Sequence, residues 1–121
     1  MENQVIKVSN LLNNMGMLAH AVNSGIKPTL EHQIGRVWEC VRDLAEGDVE
    51  RKTWRDLTKP QEVFIEPIGL HAFIKLNSQT SALVAAVYHK HPTNVAVAHI
   101  KHYLEMMCDS YSINHELIIK Y

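Results

Sequence analysis

Apolar residues recur in steps of three and four over three stretches of the chain, and this spacing restricts the fold more than any other feature. The first row is Val5, Val8, Leu12, Met15, Ala19 and Val22; the second is Leu30, Ile34, Val37, Val41 and Leu44; the third is Val97, Ile100, Leu104, Met107 and Tyr111. Such steps hold side chains on one face of a helix turning once every ~3.6 residues, so each row reads as the buried stripe of an amphipathic helix. At 121 residues the chain is long enough to bury one core and short for two. The expectation is a mainly α fold, a single-domain helical bundle of four or five helices spanning 1–121.

Local signals place the ends of these helices. The first is expected over about 3–23, stopping at Ser24 and Gly25, because glycine readily takes the left-handed conformation that closes a helix. Thr29 is expected to cap the second, which runs to Ala45. Asp48 can cap a short helix over 49–57. Residues 61–76 carry two patterns at once. Val63, Ile65, Leu70, Ala72, Ile74 and Leu76 alternate as strands do around a proline-glycine turn at 66–69, which makes an α+β fold with a β-hairpin at about 61–76 the alternative. Phe73, Leu76, Thr80, Leu83 and Val87 instead continue the helical spacing, and a helix over about 68–90 is the preferred reading. His91-Pro92 ends it, Thr93 caps the last long helix, and the tail from Ser112 onward is either a docked helical turn or an edge strand.

Charge excludes some function classes. Twelve basic residues nearly balance thirteen acidic ones, so no overall field draws the chain onto nucleic acid or an anionic membrane. No apolar run approaches the roughly 20 residues of a membrane helix. Cys40 and Cys108 fall within expected helices and read as reduced, packed thiols of a cytoplasmic protein.

Eight histidines are many for this length, and His89, His91, His99 and His102 fall close together. His99, His102, Met106 and Asp109 share the side of the last helix opposite its apolar row. Two imidazoles one turn apart can converge on an ion, but neither a paired-cysteine motif nor a His-Glu-x-x-His helix is present, so no metal and no cofactor are expected. Val95, Ala98, His99, His102 and Met106 put weakly charged, moderately apolar groups where a solvated helix carries lysine and glutamate. They read as a partner-binding face, a homodimer seam in the simplest case, unless the tail or the middle segment covers them within the chain.

Arg51, Lys52, Trp54, Arg55 and Lys59 form a basic cluster with an aromatic, a combination suited to phosphate contact and base stacking or to an acidic partner. Asp48, Glu50, Asp56 and Glu62 interleave with it and cancel most of its field. The helices meeting at His91-Pro92-Thr93-Asn94 permit comparison with a helix-turn-helix, yet the second offers Asn94, Lys101, His102 and Glu105 without an arginine for base readout. Asp109, His115 and Glu116 could assemble with His102, but no nucleophile elbow, phosphate loop or dinucleotide fingerprint occurs, and no enzyme is expected. The sequence reads as a small non-enzymatic interaction protein, a regulator, inhibitor or adaptor that binds a protein partner through helix faces. A DNA-binding regulator and a histidine-based metal or pH sensor are the alternatives.

Overall fold

The computed structural model describes residues 2–45, 63 and 65–120. They form five helices, α1 (Glu2–Ser24), α2 (Lys27–Ala45), α3 (Ile68–Tyr88), α4 (Asn94–Ser110) and the one-turn α5 (His115–Ile118), and no strand occurs among the described residues. The fold is mainly α. α1 pairs with α2 and α3 with α4 as two antiparallel hairpins. The Gln4 side chain donates to the Val87 carbonyl, Thr80 Oγ1 lies 3.8 Å from Met15 Sδ, and Val22 lines a cleft with Ile68 and Gly69. α1 and α3 are therefore antiparallel neighbours, and α2 and α3 run parallel, so that Ala45 and Ile68 lie at opposite ends of the bundle.

One core joins the two hairpins. Trp38, Leu11, Leu18, Leu30, Ile34, Leu76, Leu83, Ile100, Leu104 and Met107 are its largest fully enclosed side chains. The second helix buries every member of its expected row, Leu30, Ile34, Val37, Val41 and Leu44. The last long helix buries Val97, Ile100, Leu104 and Met107 and keeps Tyr111 half-buried.

The first helix departs from expectation by rotation. Val8, Leu11, Met15, Leu18 and Ala21 are buried, while Val5 and Leu12 are 50% and 53% exposed. The two rows share Val8 and Met15 and differ in whether Leu11 or Leu12 turns inward. Asn14 helps to fix the choice: its amide donates to the Asn10 carbonyl and lies 3.6 Å from Cys40 Sγ on α2. Lys7 reaches the Asp43 carbonyl on the same side.

The β-hairpin alternative fails at its second arm. Leu70, Ala72, Ile74 and Leu76 all lie on α3, which buries Gly69, Ala72, Leu76, Thr80, Leu83 and Val87 in three-four steps. Pro67 sits just before the first helical residue, where a missing N–H costs nothing. Gly69 is needed for close approach: a Cβ there would stand 2.8 Å from Ser110 Oγ and 2.9 Å from Tyr111 Oη at the end of α4.

The ends hold as follows. Gly25 takes φ +67° and its N–H bonds the Ala21 carbonyl, closing α1. α2 begins at Lys27, so Thr29 lies inside its first turn instead of capping it. Thr93 occupies the cap position of α4, but its hydroxyl makes no cap bond and is buried. The tail is a docked helical turn: Asn114 caps α5 by accepting from the Glu116 N–H, and Ile113 and Ile119 are buried. Trp38 Nε1 and Arg42 both donate to the Lys120 carbonyl, pinning the tail along α2.

Candidate functional site

The expected contact face on α4 is largely absorbed by the fold. Nine of the 17 residues of α4 are buried, among them Ala98, Lys101 and Tyr103. Ala98 is thus a packing position and does not belong to an outward surface. His99, His102 and Met106 are half-buried, and Met106 packs against the core. The two imidazoles meet on Tyr103, with ring centroids 6.5 Å and 5.8 Å from its ring. Val95 alone of the five stands well out, at 68% exposure. The basic cluster of Arg51, Lys52, Trp54, Arg55 and Lys59, and the short helix expected over 49–57, lie outside the described residues.

Burial of Lys101 also bears on the comparison with a helix-turn-helix. Its ammonium is paired with Glu105, and both side chains are largely enclosed. A lysine held this way cannot reach a phosphate without breaking a desolvated pair. Glu105 lies 4.0 Å from His115 Nε2, and His115 Nδ1 hydrogen-bonds Asp109 at 2.8 Å. The sequence suggested Asp109 and His115 as neighbours but not the Lys101–Glu105 pair, since nothing in its i,i+4 spacing distinguishes an enclosed pair from a solvated one. The cluster ties α5 to α4.

Among the described residues, no group of three or more histidine, cysteine, aspartate or glutamate side chains is placed to hold a metal ion. Neither cysteine is activated. Burial pushes the Cys40 thiol up, and burial reinforced by Asp109, Glu105 and Glu31 pushes Cys108 up to about 12. Both are protonated near neutrality, and the thiolate is the reactive and ligating form. No described helix is long and apolar enough to cross a membrane.

The most distinctive surface is one the residue-by-residue reading missed. On α1, Val5, Leu12 and Ala19 flank the buried row on the side toward α3. On α3, Phe73, Val84, Leu70 and Tyr88 lie on the flank of Thr80, the residue that meets Met15 of α1. Leu70 and Tyr88 are each 45% exposed, and Phe73 and Val84 are half-buried against the core. The intervening positions are Ser9, Gly16, Asn23, Asn77 and Ser81, so neither helix flank carries a charge, and Glu66 borders the face only at its Asn23–Leu70 end. The 23 residues of α1 include two charged ones, Glu2 and Lys7, and the 21 of α3 include only Lys75; the 19 of α2 include six. The signal was available in the sequence as the charge content of each helix, which an average over the chain conceals. No family model, curated protein or solved structure matches this chain.

Proposed function

We propose that this chain is a small non-enzymatic interaction protein, and that its working surface is the uncharged face shared by α1 and α3. The single observation carrying this reading is the run of Val5, Leu12, Ala19, Leu70, Phe73, Val84 and Tyr88, partly or well exposed and interrupted only by neutral small or amide side chains. Depletion of charge with exposed aliphatic and aromatic groups is the composition of interface centres. Two adjacent helices of this length, each about 10 Å across and ~30 Å long, present roughly 600 Å² in projection. That approaches the ~800 Å² per partner of an ordinary stable interface.

The occupant that best suits the face is a second copy of the chain. A two-fold contact sets a surface against its own image, so any central charge would meet a like charge. A face without charge meets that condition, and Gly16, Ala19 and Ser81 let helices approach closely.

Sedimentation velocity from 1 to 200 micromolar tests the reading. A concentration-dependent dimer is expected, converted to monomer by Leu12→Lys with an unchanged circular dichroism spectrum. A wild-type protein that stays monomeric throughout, or a Leu12→Lys variant that dimerises as well as wild type, would overturn it.

A further inference from the structure

The tail occupies a seat on α2 that is shaped for a peptide. Gly35 stands mid-helix, where alanine would be the better helix former. Among the described residues beyond α2 itself, a Cβ there would meet one atom within 4 Å, Ile118 Cγ2 at 3.3 Å. The glycine therefore leaves room for an aliphatic side chain of the tail and for nothing in the core. Trp38 and Arg42 follow Gly35 in steps of three and four, so all three share one side of α2. Trp38 Nε1 and Arg42 Nη1 converge on the Lys120 carbonyl at 2.6 and 2.7 Å, a two-donor clamp for a main-chain oxygen. Ile119, just before it, is 4% exposed.

The tail is held less firmly where it leaves α4. Residues 111–114 contain neither glycine nor proline, yet Ser112 takes φ +59°, the left-handed geometry that glycine ordinarily supplies after a helix. The Ile113 N–H closes the turn on the Cys108 carbonyl at 2.8 Å. The closed turn thus carries a backbone cost that an opened one does not. The polar tie between His115 and Asp109 lies at the rim, with side chains 33% and 56% exposed, where water competes for both partners.

We infer that this seat is a peptide-binding site closed by the chain's own tail, which opens at Ser112 to admit a segment of a partner protein with the same chemistry. That chemistry is a pair of adjacent aliphatic side chains followed by a main-chain carbonyl that the partner's own fold leaves free. The tail itself shows what the seat accepts. A tethered segment has an effective concentration on the order of millimolar, so the closed form dominates in the free protein and yields to a partner that is also held elsewhere. The inference rests on the interaction-protein reading and adds to it a second surface, in which the α1–α3 face plays no part.

The experiment titrates the full chain with a fluorescein-labelled, C-terminally amidated peptide of residues 113–120, read by anisotropy and by the Trp38 indole resonance. Ile119→Asp, whose own tail should leave the seat, is expected to bind the peptide at least tenfold more tightly than wild type. Adding Gly35→Leu, which fills the space of Ile118, should remove that binding, and adding Arg42→Ala should weaken it about three- to tenfold. Should Ile119→Asp lose its helical spectrum, Ser112 keeps the test, since its side chain is exposed. Ser112→Val should then tighten peptide binding about fivefold relative to wild type and Ser112→Gly should weaken it, because valine resists the left-handed turn and glycine favours it. Equal binding by wild type and Ile119→Asp, binding that survives Gly35→Leu, no binding by any variant, or no difference between the two Ser112 variants would overturn the inference. Leu12→Lys should leave the peptide titration unchanged, so the seat and the α1–α3 face stand or fall separately.

Discussion

Leu11 and Leu12 are chemically identical neighbours separated by one helical step of about 100°, yet the first is fully buried and the second 53% exposed. Truncating a buried leucine to alanine removes transfer free energy and leaves a cavity, and costs about 2 to 5 kcal/mol. Leu11 is fully enclosed near the middle of α1, so a value inside that range, about 3 kcal/mol, is the expectation. Leu12 keeps half its surface in water, so its truncation should cost at most ~1 kcal/mol, partly offset by the better helix propensity of alanine. With roughly 3 to 6 °C per kcal/mol for a chain of this size, Leu11→Ala should lower Tm by about 10 °C and Leu12→Ala by less than about 5 °C. Thermal and urea unfolding followed by circular dichroism at low micromolar protein measures both. Equal losses, or a larger loss for Leu12→Ala, would mean that α1 presents the row Val5, Leu12 and Ala19 to the core. The proposed interaction face would then disappear with the rotation, so this pair of variants tests the fold and the function together.

Three further outcomes are expected. Gly69→Ala should destabilise by about 1 to 3 kcal/mol despite its helix-propensity gain, because the new methyl meets Ser110 and Tyr111; Gly16→Ala, with open space around it, should stabilise by about 0.5 to 1 kcal/mol in the same urea titration. Ile119→Asp should release the tail, since Ile119 is 4% exposed and Trp38 and Arg42 hold the adjoining carbonyl; faster hydrogen exchange of the Trp38 indole is the readout, and an unchanged rate would refute the docking. For Cys108, burial places the folded thiol at about 12, above the ordinary value of 9.0, so the unfolded chain loses its proton first as pH rises. Its contribution to stability is full below about pH 8.5 and declines between about 9 and 12, by linkage. Unfolding free energies at pH 8 and pH 10 should therefore fall more steeply in wild type than in Cys108→Ala, and parallel slopes would contradict the assignment.

How far the fold could be read depended on how many apolar rows each helix offered. α2 offered one, bounded by charged residues such as Glu31, Arg36 and Glu39, and all five of its expected core residues are buried. α1 offered two, because Leu11-Leu12 and Leu18-Ala19 place apolar groups at adjacent angles, and the flank of Val5, Leu12 and Ala19 carries no charge that would force it toward water. In α3, Ala72 and Leu76 satisfy a two-residue and a three-four period together, and only Thr80, Leu83 and Val87 beyond them decide for helix. The α4 face around His99 and His102 misleads for another reason. Both imidazoles turn onto Tyr103 of the same helix and are half-buried there, and helical spacing says which positions share a side without saying what packs on that side.

The same limit explains why the α1–α3 face escaped a search by motif. A bundle helix normally marks its solvated side with lysine and glutamate, whereas α1 uses Asn3, Ser9, Asn10, Asn13, Gly16 and Asn23. Neutral amides and hydroxyls keep a surface wetted, yet stripping their water costs far less than desolvating a charge. Hydrophobic gain from Leu12, Leu70 and Tyr88 then has little electrostatic cost to overcome when the face is covered. A charged outer side would have fixed the rotation of α1 more firmly and given the folded monomer better solubility. This chain forgoes both. If a second copy covers the face as proposed, that omission carries no penalty, because the covered side needs neither a solvated charge nor its repulsion.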